Sequence, residues 1–120
     1  MKIEKEMKAD VERIGSKEQW YDGAVDYWNK QTTDLDGILG GYGRVHPCDI
    51  DTSRNMIVKF SKEISGFNKA IDCGAGWGRI TKDVLVPKFK VVDLLDPAEE
   101  QVKKAREYVP EVRNFFVKGL

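Results

Sequence analysis

Among the first seventeen residues, Ile3, Met7, Val11 and Ile14 stand three to four positions apart between charged neighbours, which draws a single apolar stripe on a helix. A second helical pattern covers Glu18–Lys30. There Trp20, Ala24, Tyr27 and Trp28 share one face and Tyr21 and Val25 widen it, an aromatic stripe of the kind that usually faces a core. Four of the seven residues from Gly37 to Gly43 are glycine, a density that suits neither a regular helix nor a strand interior, so Asp34–Gly43 is expected to be a turn-rich loop or irregular hairpin. An extended Arg44–Pro47 is then expected to lead to Asp51-Thr52-Ser53. These three offer caps for a helix that turns Ile57, Phe60 and Ile64 inward and stops at Ser65-Gly66.

From Asn68 the texture changes. Lys69–Cys73 reads as a short strand, Gly74–Gly78 as a glycine loop, Arg79–Val86 as a helix ended by Pro87, and Phe89–Leu95 as a second strand, which together make one βαβ unit. Asp96 is expected to cap the next helix, with Pro97 at its first position and Glu99 completing a capping-box pattern. That helix should run to Tyr108, Pro110 breaks it, and Val112–Val117 reads as a third strand. The βαβαβ alternation predicts an α/β fold with a parallel sheet and right-handed crossovers.

Composition narrows the classes. The 120 residues suffice for one domain and exclude two complete ones. Twenty Lys plus Arg balance twenty Asp plus Glu, so the chain lacks the basic excess of a general nucleic-acid binder. No apolar run approaches the roughly 20 residues of a membrane span, and Met1–Asp10 holds no apolar segment to act as a signal peptide, so an intracellular protein is expected. Cys48, Cys73 and the single His46 have no metal-type spacing and predict no metal site. His46 and Cys48 are expected to be ordinary loop residues, and Cys73 a small buried strand residue.

Asp72-Cys-Gly74-Ala-Gly76-Trp-Gly78-Arg79 carries the most chemistry, because it lies where a first strand turns into a helix. A dinucleotide loop reads G-x-G-x-x-G, but counting from Gly74 its third glycine is Arg79, and a phosphate loop ending in Lys-Ser/Thr is absent. The pattern Asp-x-Gly-x-Gly-x-Gly resembles instead the first motif of the class I S-adenosylmethionine-dependent methyltransferases, whose cofactor carries an amino acid and a nucleoside but no phosphate. Glycines at Gly74 and Gly76 let the backbone pass directly under such a ligand. Arg79 offers a planar fork of donors to a carboxylate. Asp96, 22 residues after Gly74, ends the second strand, where a carboxylate can accept from ribose hydroxyls.

Tyr27-Trp28, then Asp36-Gly-Ile-Leu-Gly-Gly-Tyr-Gly43, then Asp49-Ile-Asp-Thr-Ser-Arg54 precede that loop in order. The ordered set resembles the protein α-N-terminal methyltransferases, which methylate the free amino terminus of proteins beginning X-Pro-Lys. The resemblance covers roughly Trp20 to Leu120; Trp77 departs from it, standing where the family commonly has another bulky apolar residue, Ile. It implies a Rossmann-like class I methyltransferase fold, truncated after the third parallel strand, with an N-terminal helical extension. The segments would be a charged helix or tail at 1–17, a helical and glycine-rich substrate or cap segment at 18–67, and the first half of the cofactor domain at 68–120. Carried over by position, it implies S-adenosylmethionine contacts, with S-adenosylhomocysteine as product, at Trp28, Gly74, Gly76, Arg79, Asp96, Pro97, Ala98 and Leu120. It implies substrate-channel positions at Leu39, Gly40 and Val45, and it places the catalytic residues beyond Leu120, so that none is assigned in this chain. Expected partners are X-Pro-Lys termini, with neither nucleic acid nor membrane, and the expected location is cytoplasmic and nuclear. The uncovered sheet edge suggests self-association or domain swapping. Another class I methyltransferase, or a noncatalytic module retaining the cofactor fold, stays open as an alternative.

Overall fold

The computed structural model describes residues 2–120. Helix α1 (Lys2–Ile14) is followed by α2 (Lys17–Lys30), whose N-cap Ser16 accepts from the Gln19 amide at 3.1 Å. The α1 stripe is not a core face where it can be followed: Ile3 and Ile14 are exposed, while the Met7 and Val11 side chains lie outside the described residues. The aromatic stripe of α2 is not core either, since the helix has no buried residue and Tyr27 is 53% exposed.

The glycine-rich segment is the turn-rich alternative, a loop built around one turn of helix, and not a hairpin. Asp34 accepts from the Gly37 amide at 2.7 Å and starts the short helix α3 (Leu35–Ile38). Gly40 and Gly41 then take positive φ values and lead to a 3-10 turn at Gly43–Val45. Helix α4 (His46–Lys59) follows at once, with Pro47 in its first turn, where the missing N–H costs nothing. The expected extended Arg44–Pro47 is therefore helical, and Asp51-Thr52-Ser53 lie inside α4 rather than capping it. Ile50 is the buried residue of α4, while Phe60 and Ile64 beyond it are exposed.

The second half of the chain carries the sheet. Strands β1 (Lys69–Cys73), β2 (Val91–Asp96) and β3 (Phe115–Val117) run parallel in the order β1-β2-β3, with Lys69 opposite Val91 and Leu94 opposite Phe115. A π-helical turn at Thr81–Leu85 bridges β1 to β2, and α5 (Glu99–Tyr108) bridges β2 to β3. Period-2 alternation turns Val92 and Leu94 of β2 onto Val102 and Ala105 of α5, and Val109 and Val112 close this core. Gly78, at φ 89°, is required here: a Cβ would stand 2.8 Å from Val109 Cγ1 and 3.3 Å from Leu94 Cδ1.

Three further expectations are corrected. The third strand is shorter than Val112–Val117, because Val112 turns into the core and Asn114 is held by the Asp93 carboxylate. Cys73, at the end of edge strand β1, is exposed rather than buried. Asp96 does not cap α5: that helix starts at Glu99 with Ala98 at its N-cap, and Asn29 Oδ1 of α2 accepts the otherwise orphaned Glu100 amide at 3.1 Å.

Candidate functional site

The turn from β1 into the following helix opens a cavity of about 420 Å³ at the carboxyl ends of the parallel strands. That volume lies within the roughly 300–1,000 Å³ usual for small-molecule sites, and the strand ends are where open α/β sheets bind ligands. Six of the anticipated cofactor residues line it: Trp28, Gly74, Gly76, Arg79, Asp96 and Pro97. Gly74 adopts φ 72°, and a Cβ there would meet nothing within 4 Å, so this part of the backbone is bare toward open space. Ala98 is fully buried and contributes its amide rather than a surface.

Other anticipated residues stand outside the cavity wall. Leu120 is fully exposed. Leu39 caps α3, Gly40 follows it at φ 59°, and Val45 stands 40% exposed before α4.

The Asp96 carboxylate is buried and already engaged. Oδ2 accepts the Gly76 amide and Oδ1 the Ala98 amide, both at 2.8 Å. Before it meets any ligand, then, this carboxylate fixes the glycine loop and the Pro97-Ala98 turn. A carboxylate has about four lone-pair sites, so two of them remain for a ligand.

Arg79 forms an ion pair with Asp49 of α4, Nη1 to Oδ2 at 2.6 Å, and lies 3.3 Å from His46 Nδ1. His46 Nε2 is 3.2 Å from Asp83 Oδ2. Guanidinium nitrogen can only donate, so toward Arg79 the Nδ1 atom is the acceptor, and Nε2 is the ring nitrogen that faces Asp83. His46 is therefore a helical residue in a polar relay, not an ordinary loop residue. Arg79 uses part of a five-donor fork on Asp49 and His46, and the rest is available to a carboxylate. Asp72, also in the wall, accepts from Thr81 Oγ1 at 2.6 Å. Burial pushes its carboxyl pKa above the ordinary value, with the Thr81 hydrogen bond and the Arg79 charge opposing that rise.

Ile38, Asp72, Ala75, Ile80 and Gln101 join the wall without having been assigned as site residues from the sequence. For Gln101 a signal exists. It occupies a position among the buried Ala98, Val102, Ala105 and Val109, a polar side chain inside an apolar helical stripe. Its Nε2 donates to the Trp28 carbonyl at 3.0 Å, and its Oε1 is a buried oxygen without a partner among the described residues.

A glycine turn bare at Gly74, an acidic residue closing the second strand, an arginine fork and an orphaned buried acceptor together suit a ligand bearing hydroxyls and a carboxylate. A parallel sheet carrying this turn is the Rossmann-like fold of the class I methyltransferases. The family model described as AdoMet dependent proline di-methyltransferase matches residues 16–120, and the chain belongs to that family. It is 44% identical to the N-terminal Xaa-Pro-Lys N-methyltransferase 1 of Bos taurus over 116 residues, covering 91% of this chain and 52% of that protein. Against the Alpha N-terminal protein methyltransferase 1 of Caenorhabditis elegans it is 39% identical over 113 residues, covering 90% of this chain and 48% of that one. A solved SAM-dependent methyltransferase of Leishmania major superposes with a TM-score of 0.75 at 36% identity, over 83% of this chain and 41% of that chain. The chain spans about half the length of the curated relatives it matches.

Proposed function

We propose that this protein serves S-adenosylmethionine-dependent methylation of the α-amino group of protein termini beginning X-Pro-Lys. The observation that carries the reading is the cavity itself, in which Gly74, Gly76, Arg79 and Asp96 surround one space in a chain of this family. S-adenosylmethionine, bound there, supplies the methyl group, and S-adenosylhomocysteine is the product. Asp96 holds the glycine loop in the shape that receives the nucleoside and keeps lone pairs for ribose. Arg79 receives the amino-acid carboxylate through the part of its fork not spent on Asp49. Trp28 closes the cavity from the α2 side.

The acceptor needs little help to become reactive. An α-amino group with a pKa of about 7.7–8.0 is neutral for roughly a fifth to a third of the time near pH 7.4. Orientation of amine and methyl in line is then the main requirement. Leu39, Gly40 and Val45, outside the cavity wall, are assigned to the approach of the extended peptide, where exposed backbone at Gly40 permits close contact.

The proposed location is the cytoplasm and nucleus, and the substrate a peptide rather than nucleic acid or a membrane surface. Strand β1 forms one edge of the sheet with Ile71 half exposed, which supports self-association through that edge. Transfer of labelled methyl to Ser-Pro-Lys and Ala-Pro-Lys peptides, and none to the same peptides with blocked termini, is the result expected of a version extended to the length of the curated relatives, whereas the 120-residue chain, with no catalytic residue assigned to it, is expected to bind cofactor without transfer. Absence of heat on titrating S-adenosylhomocysteine into the folded chain would overturn the cofactor assignment, and a sedimentation profile that stays monomeric at high concentration would overturn self-association.

A further inference from the structure

Gln101 is 1% exposed, and its amide is oriented by one bond. The Trp28 carbonyl can only accept, so the Gln101 nitrogen faces it, at 3.0 Å, and Oε1 faces away. There Oε1 has no partner among the described residues. Leaving a buried acceptor unpaired is costly, and native structures rarely do so without a functional reason. Gly76 shows what lies beside it. A Cβ placed on Gly76 would be 3.7 Å from Gln101 Oε1 and 2.6 Å from Ile38 Cδ1. An apolar methyl of the short helix α3 therefore occupies the space in front of Gly76, next to an oxygen to which it can give no proton.

The flanking wall has the same polarity. Asp96 Oδ2 holds the Gly76 amide, so a carboxylate with spare lone pairs and the free Gln101 oxygen both lie against one glycine. A wall of acceptors asks for a ligand with donors, and two neighbouring acceptors suit a vicinal diol. We propose that Gln101 Oε1 accepts a hydrogen bond from a ribose hydroxyl of the bound nucleoside, which displaces Ile38 from the face of Gly76. The inference rests on the cofactor reading above and adds a residue to it. It also couples the cofactor to α2, because the amide that receives the ribose is the one that holds the Trp28 carbonyl.

Calorimetry on the 120-residue chain tests it, using S-adenosylhomocysteine and its 2′-deoxy and 3′-deoxy analogues. In the wild type, one deoxy analogue should bind about fivefold to tenfold more weakly than the parent ligand. In Gln101→Met, which lacks the acceptor, the parent should weaken by a similar factor and the difference between parent and that analogue should shrink. Gln101→Glu keeps acceptor oxygens but loses the donor to Trp28, and it should keep the preference for the hydroxyl. Equal losses for parent and analogues in Gln101→Met would reveal a purely structural residue and overturn the proposal while leaving the cofactor reading intact. No binding of the parent ligand to the wild type would overturn both. Should Gln101→Met not fold, the wild-type Gln101 side-chain amide resonances decide the matter: a larger shift with parent than with deoxy ligand supports the proposal, and identical shifts refute it.

Discussion

The two halves of this molecule are held together by different forces. Residues 68–120 bury Val92, Leu94, Val102, Ala105, Val109 and Val112 in one apolar cluster, whereas in helices α1 to α4 the buried apolar residue among those described is Ile50. What ties the N-terminal helices to the sheet is mostly polar and lies around the cavity. Trp77 Nε1 donates to the Asp34 carbonyl, Gln101 to the Trp28 carbonyl, the Glu100 amide to Asn29, and Arg79 pairs with Asp49. The C-terminal half thus has cohesion of its own, while the N-terminal half docks through directional contacts at the seam that borders the cavity. Such contacts contribute about 0.5–1.5 kcal/mol each, more where charge is involved, so the seam can open without the core melting.

The largest effect should come from the core. Leu94 is fully buried, and Leu94→Ala should cost about 2–5 kcal/mol, measured by denaturant unfolding, with protection lost throughout the sheet. Ile50→Ala should cost less, about 2 kcal/mol, and hydrogen exchange should accelerate across α4 while the amides of β2 stay protected. Equal acceleration in both halves would show one cooperative unit and erase the contrast.

That contrast also governs what could be read from the sequence. Strand β1 was legible to its ends, because a short run stops at a glycine turn, and the parallel βαβ order followed from the alternation of strands and helices. The glycine turn, Arg79 and Asp96 were legible as neighbours through their spacing, and the structure brings them to one cavity. The N-terminal half was harder because its local signals mislead. Pro47 reads as extended chain yet occupies the first turn of α4, and the aromatic stripe of α2 reads as core yet stays outside it. Residues joined across the seam are far apart in sequence, as Gln101 and Trp28 are, and no local period announces such a pair. The bonds of Asp96 to two backbone amides are equally silent in a sequence, which shows a carboxylate but not what it has already accepted.

An effect of opposite sign is expected at the cavity floor. Burial raises the folded-state pKa of Asp72 above that of an ordinary aspartate, so its contribution to stability is fully present below the ordinary value and is lost as pH rises through the higher folded one. Asp72→Asn removes the half-buried charge and keeps an acceptor for the Thr81 hydroxyl. At pH 7 the variant should melt at a higher temperature than the wild type, and the gap should close as pH falls below about 3.9. A gap that widens on acidification would mean that the ionised carboxylate stabilises the fold, and the assignment of burial as the dominant influence would be wrong.

The smallest effect is the sharpest probe of the seam. Trp77 is 5% exposed, its ring meets Tyr108 edge to face at 4.7 Å, and its Nε1 donates to the Asp34 carbonyl at 3.2 Å. The ring thus belongs to the C-terminal half, while the single polar atom reaches the residue that caps α3. Trp77→Phe retains an aromatic ring against Tyr108 and deletes the donor, so the core should lose only about 1 kcal/mol or less. The change should appear locally instead: amides from Gly37 to Gly43 should exchange several-fold faster, because the N-cap of α3 is no longer anchored to the glycine loop. Unchanged exchange in that segment would show that α3 is fixed by Ile38 packing against Gly76 rather than by the indole hydrogen bond, and polar docking would then fail as the account of how this half is held.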